Sequence, residues 1–223
     1  MNIKGIRKHK SWMKKTAPIL KSNSVLALGL ALPFAIVPSF TLKNGVLLSI
    51  LMVVATIIPV ALYRIIGDGL KREFKLPISV IASMVCVSTF IYFTKEQFST
   101  IYESIGVYAI LMAVNSLMFY CEEAGKKKTV LQAVLFAFKA CLGFAVVVCF
   151  ISVIREILSA RTVWGLPLGL LSIKMDGVAF PFFGFIALGF LSALFGSMER
   201  AISRKIISND LKSGERNKVM HNA

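Results

Sequence analysis

Six apolar segments divide the chain, and short polar stretches separate them. They cover residues 24–40, 45–65, 76–93, 101–120, 130–158 and 177–198. A helix needs about 20 apolar residues to cross about 30 Å of hydrocarbon, and these segments have comparable lengths. Because lipid offers no hydrogen-bonding partners, each segment must satisfy its backbone as a helix, or as a broken helix that other protein covers. The pattern predicts an all-α membrane protein with six transmembrane helices.

The first and fourth segments contain residues that interrupt a helix. These residues are Gly29, Pro33 and Pro38 in the first segment and Glu103, Gly106 and Asn115 in the fourth. Two uninterrupted segments follow each of them, which indicates a 3+3 inverted repeat with discontinuous first and fourth helices. The alternative is that Pro and Gly are simply common in membrane helices. The apolar pattern alone favours neither interpretation.

Basic residues lie almost entirely in alternate loops. If the N-terminus is cytoplasmic, 20 of the 26 Lys and Arg residues fall on the cytoplasmic side. Five fall outside, namely Lys43, Lys95, Arg155, Arg161 and Lys174, and Lys139 lies within the fifth segment. This bias predicts that both termini are cytoplasmic. We therefore divide the chain into a basic N-terminal segment (1–22), a six-helix transmembrane domain (23–198) and a basic C-terminal tail (199–223).

Composition agrees with a membrane protein and excludes several other classes. The chain is 57% apolar and carries a formal net charge of +15. That charge lies at the predicted cytoplasmic ends of the segments, where it meets anionic lipid, so we expect no nucleic-acid partner. No cleavable signal peptide is evident in residues 1–22. The sequence contains no Ser/His/Asp, metal-binding His/Glu or phosphate-loop pattern, so it predicts no stand-alone catalytic site.

Short motifs along the chain resemble one family of membrane subunits. Residues 105–116 (IGVYAILMAVNS) resemble the fourth span of the RnfA/RnfE and NqrD/NqrE subunits, which runs approximately L-G-I-x-x-P-L-I-x-T-N-C. Further matches in the same order are Asn23-Ser24-Val25-Leu26 with Pro33, Leu76-Pro77-Ile78, Glu123 at the acidic residue of an R-A-E motif, Leu142-Gly143-Phe144, Arg155-Glu156-Ile157-Leu158 and Phe185-Ile186-Ala187-Leu188-Gly189. The basic N-terminal extension resembles the RnfE/NqrD branch.

The resemblance implies a function and partners. Such subunits form sister pairs of opposite orientation in an ion-pumping electron-transport complex of the bacterial cytoplasmic membrane. Two half-helices per subunit each supply one cysteine, and four thiolates from the pair hold an iron or iron–sulfur centre. The expected partners are therefore a sister RnfA/NqrE-like subunit, other subunits of the complex and the lipid bilayer. Any enzymatic role would be that of one subunit in a translocating oxidoreductase.

The sequence departs from this family at the iron ligands. The two cysteine positions are occupied by Leu32 and Ser116. A leucine cannot bind iron, and a serine oxygen is a poor substitute for a thiolate, so we expect no cofactor or metal site in this chain. Two functions stay open: a redox-complex membrane subunit without its own complete iron site, or a non-redox transport or binding protein with the same inverted-repeat fold.

The four cysteines that remain lie in or beside apolar segments and show no paired spacing. We expect these residues to pack as small hydrophobic side chains in the interior; they are Cys86, Cys121, Cys141 and Cys149. The alternative is that Cys121 supplies a relocated ligand, although it follows Ser116 by five residues, about 7 Å along a helix.

Five other residues are candidates for functional or subunit-contact roles. A lysine within a span, such as Lys139, usually faces protein, water or a partner. It is too deep to reach the interface if its helix begins at residue 129, and a later start would allow it to do so. Arg155 and Glu156 predict an interfacial ion pair or, by the resemblance, a subunit contact. Asn115 is expected to satisfy the backbone of a broken helix, and Glu123 matches the family motif.

Overall fold

The computed structural model describes residues 23–66, 69, 71–126, 128–167, 175–197 and 200. The predicted N-terminal segment, and the C-terminal tail apart from residue 200, lie outside these described residues. Lys127 and Lys174, which support the predicted orientation, also lie outside them.

The described chain is predominantly helical. Its helices are α1 (Ser24–Leu28), α2 (Leu32–Ile36), α3 (Leu42–Ile66), α4 (Arg72–Thr94), α5 (Ser99–Ile105), α6 (Tyr108–Leu111), α7 (Ser116–Gly125), α8 (Val130–Ala160) and α9 (Pro181–Ser197). A short antiparallel hairpin, β1 (Thr162–Val163) and β2 (Leu166–Pro167), follows α8, and a 3-10 turn (Asp176–Ala179) precedes α9. The hairpin was not predicted from the sequence.

Within the described part of the chain, three helices are long and apolar enough to cross a membrane: α3, α4 and α8. The bent pair formed by Ser99–Ile105 and Tyr108–Gly125 would count as a fourth crossing. The first apolar segment is divided between α1 and α2, and α9 is shorter than these spanning helices. The described residues therefore show a multi-pass helical membrane protein, and the six-crossing 3+3 inverted repeat stays a prediction.

The centre of the fold is the packing of α3 against α8. Leu48, Leu51 and Met52 of α3 and Phe144 and Val148 of α8 are all fully buried. Small residues bring the two backbones close together. A Cβ atom at Gly45 of α3 would lie 2.5 Å from Ser152 Oγ and 3.1 Å from Ser152 Cβ of α8, so glycine permits this close approach.

A proline within α3 is compensated by the neighbouring helix. Pro59 has no N–H to donate to the carbonyl of Ala55, one turn earlier. The Ser83 hydroxyl of α4 donates to that carbonyl instead (2.9 Å), and Ser83 is fully buried. Helix α3 therefore continues through the proline, because a side chain from α4 satisfies the free backbone group.

The last helix packs against the first segment. A Cβ atom at Gly184 of α9 would lie 2.8 Å from Ile36 Cγ2, and the Ser192 hydroxyl donates to the Leu26 carbonyl (2.9 Å). The α1–α2 region is therefore held between α9 and α8 although neither short helix could span a membrane.

Candidate functional site

The helix of the first apolar segment is interrupted between α1 and α2. Gly29 (φ +67°) and Ala31 (φ +58°) both adopt the left-handed conformation that interrupts a right-handed helix. Asn23 fixes the start of the segment: its Oδ1 accepts from the Val25 N–H (2.9 Å) and its Nδ2 donates to the Gly143 carbonyl of α8 (2.8 Å). The break predicted from the sequence is therefore present and is tied to α8.

The fourth apolar segment is broken in a similar way. Gly106 (φ +60°) ends α5, and the chain bends by 78° between α5 and the Tyr108–Gly125 stretch. Asn115 begins α7: its Oδ1 accepts from the Met118 N–H (2.7 Å) and its Nδ2 donates to the Met112 carbonyl (2.9 Å). The buried amide thus satisfies the backbone of a broken helix, the role expected from the sequence.

The two breaks meet at one hydrogen bond. The Ala31 N–H, which precedes the first residue of α2, donates to Ser116 Oγ (2.9 Å). Leu32 is the first residue of α2 and Ser116 is the first residue of α7, so the two positions matched to the family's cysteines hold equivalent places in two half-helices. One side chain is apolar and the other is a hydroxyl engaged with backbone. The two residues therefore connect the breaks through a hydrogen bond, and neither has a thiol group that could bind iron.

The remaining thiols lie away from this junction, in the helical core or partly buried. All four cysteines are free, and Cys121 and Cys141 are fully buried. The Cys141 thiol contacts the Met52 carbonyl (3.7 Å), and the Cys149 sulfur lies 3.9 Å from Ser49 Oγ. Among the described residues, no group of three or more His, Cys, Asp or Glu side chains is arranged to bind a metal. The burial of Cys121 and Cys141 is typical of cysteines that pack as small hydrophobic side chains.

Arg155 connects three separate elements. Its guanidinium donates to the Ile36 carbonyl at the end of α2, to the Val178 carbonyl (3.3 Å) and to the Ala179 carbonyl (2.7 Å). The side chain is 0% exposed. A planar group with five donors suits this task, since it satisfies the carbonyl ends of two helical turns at once.

Glu156 performs the complementary task for backbone N–H groups. Its carboxylate accepts from the Leu42 N–H at the start of α3 (2.6 Å), from the Gly165 N–H in the hairpin (2.9 Å) and from the Thr162 hydroxyl (3.1 Å). The interfacial ion pair predicted for Arg155 and Glu156 is not what the structure shows. Both side chains are buried and bind separate elements of their own chain, and these contacts leave them no surface for another subunit.

Lys139 and Glu123 occupy different environments. Helix α8 begins at Val130 after a Thr129–Gln132 capping box, so Lys139 lies about 14 Å into the helix. It is half-buried and has no hydrogen bond or ion pair within the described part of the chain. Glu123 is exposed and forms an ion pair with Lys126 (2.6 Å) at the end of α7. Lys139 therefore stays a candidate for a partner contact, whereas Glu123 has a local partner.

Glu122, one residue before Glu123, was not singled out from the sequence. Its side chain is only 1% exposed. The helical period indicates this burial, because the buried residues Asn115, Met118 and Gly125 lie seven, four and three positions from Glu122, on the same helical face. A carboxyl group on a buried helical face is the unusual feature of this region.

Exposed residues surround the junction of the two breaks. Leu28 is 57% exposed and Val114 is 48% exposed, and Gly29, Pro33 and Ser116 are also exposed. Backbone in irregular conformation is unsuited to contact with lipid, because lipid cannot satisfy its N–H and C=O groups. This surface, which we call the junction face, is where another protein would be expected to cover the chain.

Two comparisons with known proteins bear on this site. The sequence model of a family described as "Rnf-Nqr subunit, membrane protein" matches residues 12–195, which include both breaks, Arg155 and Glu156. No curated protein matches the chain.

Proposed function

The chain belongs to the Rnf-Nqr family of membrane-protein subunits, and from that membership we propose that it is the RnfE/NqrD-like member of a sister pair in an ion-translocating electron-transport complex. The family assignment supports a membrane subunit of an Rnf/Nqr-type complex. The proposal adds its partner, its orientation and its lack of a complete iron site.

One observation carries the proposal that this subunit has no complete iron site. The Ser116 hydroxyl, at the position of a family thiolate, accepts the Ala31 N–H hydrogen bond, and Leu32 occupies the other position. The half-helix arrangement that would place two ligands side by side is kept, and neither residue has the soft donor that iron–sulfur centres use. Any electron that crosses this region would therefore rely on a centre held mainly by other chains.

The junction face supports the proposed pairing. It exposes apolar side chains and helix ends next to Gly29 and Ser116, which have little or no side chain to hold another helix away. We propose that a sister RnfA/NqrE-like subunit covers this surface. The distribution of basic residues supports the proposed cytoplasmic location of both termini. From the family we propose the bacterial cytoplasmic membrane as its location.

Purification of the tagged chain in mild detergent, under anaerobic conditions, tests the proposal. We expect co-purification of a sister subunit and other complex subunits. We also expect that the isolated chain contains no stoichiometric iron, and that Cys121→Ala leaves the iron content of the complex unchanged. Stoichiometric iron in the isolated chain that is lost in Cys121→Ala would show that Cys121 is a relocated ligand.

The same purification separates the redox role from the alternative function. A chain that is stable and monodisperse alone, and that co-purifies with no redox subunit, would favour a transport or binding protein on the same fold. Leu28→Glu on the junction face should weaken co-purification of the sister. The matched control is Ile81→Glu on α4, a similarly exposed apolar residue (61%) away from the junction face.

A further inference from the structure

Glu122 has a buried carboxyl group that the proposed function does not use. Its side chain is 1% exposed, and neither Oε1 nor Oε2 has a hydrogen-bond partner among the described residues. In the family motif R-A-E the acidic residue aligns with Glu123, and the preceding alanine aligns with Glu122. A buried carboxyl group without a hydrogen-bond partner needs its own explanation.

The nearest hydroxyl group does not neutralise this carboxyl group. Ser79 of α4 faces Glu122 and is 1% exposed, but its hydroxyl donates to the Leu76 carbonyl (2.9 Å). A hydroxyl has one proton to donate, so Ser79 has none left for Glu122.

The described cationic side chains on the helices around α7 do not hydrogen bond to this carboxyl group either. Arg64 of α3 approaches the next turn, where its Cδ lies 3.9 Å from a Cβ atom built at Gly125. The Lys75 ammonium of α4 lies over the ring of Tyr63 (5.4 Å). None of these cations hydrogen bonds to the Glu122 carboxyl group.

Helix α8 contributes one more cation and a thiol. The Lys128 ammonium, just before α8, lies over the ring of Phe136 (3.6 Å), and the Cys141 thiol contacts the Met52 carbonyl. On α7 itself, Cys121 is fully buried and Glu123 is paired with Lys126. Among the described side chains, none on a neighbouring helix forms a hydrogen bond or ion pair with the Glu122 carboxyl group.

Burial of an ionised carboxylate without a partner costs many kcal/mol, and such groups usually become neutral instead. A bound metal cation could also neutralise it, but a hard cation needs about six oxygen ligands. The described residues contain no group of three or more His, Cys, Asp or Glu side chains that could hold a metal ion. A proton needs only the carboxyl group itself.

We propose that Glu122 is a proton-binding site, held as the neutral acid in the second half of α7. Release breaks the carboxyl O–H bond and transfers the proton to water at the end of the helix, where Lys126 begins the connection to α8, and leaves the carboxylate. Uptake is the reverse reaction. The group lies one turn from the end of α7, so a small opening between α7 and α4 would give water access to it.

Infrared spectroscopy of the purified chain tests the proposal directly. At neutral pH we expect a carbonyl stretching band of a protonated carboxylic acid that is lost in Glu122→Gln. Glu123→Gln, which changes the neighbouring exposed carboxylate, should leave this band unchanged. An unaltered band in Glu122→Gln would mean that Glu122 is ionised, and would overturn the proposal.

Labelling of the unmodified protein provides a measurement that needs no variant. Dicyclohexylcarbodiimide adds to protonated carboxyl groups in apolar surroundings, so peptide mass spectrometry should find the adduct on Glu122 and not on Glu123. Loss of this labelling as the pH rises is expected. Loss on addition of NaCl at constant pH, or no labelling at Glu122 at any pH, would contradict a proton site. Neither method requires a partner subunit or electron transfer, so failure here is distinguishable from failure of the proposed function.

Discussion

The Ser116 hydroxyl accepts a hydrogen bond from the Ala31 N–H (2.9 Å), and this contact joins the two broken apolar segments across 85 positions of sequence. Ala31 is the N-cap of α2, so its N–H has no acceptor within that helix and needs one from elsewhere. Ser116 lies at the start of a half-helix, where its short side chain can reach this N–H.

Ser116→Ala should lower the free energy of unfolding by about 1–2 kcal/mol, because it leaves the Ala31 N–H without a partner in a partly buried place. Denaturant unfolding in detergent measures the effect. The control is Ser159→Ala, since that hydroxyl donates to the Arg155 carbonyl within its own helix and should matter little. Equal effects of the two changes would contradict the proposed importance of the junction.

Ser83→Ala should lower the free energy of unfolding by about 1–3 kcal/mol, because it leaves the buried Ala55 carbonyl without a donor. In a Pro59→Ala background the same change should cost less than about 0.5 kcal/mol, since residue 59 then donates to that carbonyl. A double-mutant cycle measures this coupling. Additive effects of the two substitutions would show that Ser83 stabilises α3 in some other way.

Arg155→Lys should destabilise the fold by at least about 3 kcal/mol. A lysine ammonium cannot reach the carbonyls of Ile36, Val178 and Ala179 together, and each buried carbonyl left unpaired costs about 1–3 kcal/mol. Thermal unfolding checks the effect, with Lys95→Gln at an exposed position as the control. Near-normal stability of Arg155→Lys would show that these contacts contribute little.

Cysteines introduced at Lys43 and Lys127 should react with membrane-impermeant reagents from the outside and the cytoplasmic side, respectively. The prediction rests on the uneven distribution of basic residues. Labelling of intact cells and inverted vesicles measures it, with the unaltered chain as the control for its native thiols. Reversed access at either position would exclude the predicted orientation.

The apolar pattern predicted the long helices well, because a helix in lipid must be long and apolar whatever its neighbours are. The predicted segment 130–158 corresponds to α8 (Val130–Ala160), and 45–65 corresponds to α3 (Leu42–Ile66). Both breaks were also predicted, since Gly29 and Gly106 allow the left-handed backbone that interrupts a helix. The basic tails and the number of crossings depend on residues or surroundings that the described chain does not contain.

The contacts of the candidate site were less predictable, because they connect residues that are distant in sequence. Nothing local to Arg155 or Glu156 indicates that one binds the end of α2 and the other the start of α3. Adjacent opposite charges suggested an ion pair, whereas burial directs each toward unpaired backbone groups. Glu122 could have been predicted from local sequence, because the helical period places it on the buried face of α7 and its neighbour Glu123 on the exposed face.

The contacts that α8 makes also determine when the beginning of this protein can reach its final structure during synthesis. Three hydrogen bonds join this region to α8 across more than 110 residues of sequence. They are Asn23 to Gly143 (120 residues), Ile36 to Arg155 (119) and Leu42 to Glu156 (114). A ribosome adds about 5–20 residues per second, so the delay is on the order of ten seconds. During that interval residues 23–42 must remain in the insertion machinery or the bilayer without these hydrogen-bond partners. Truncations or slow translation before α8 should therefore expose the youngest chains to membrane proteases and insertion chaperones.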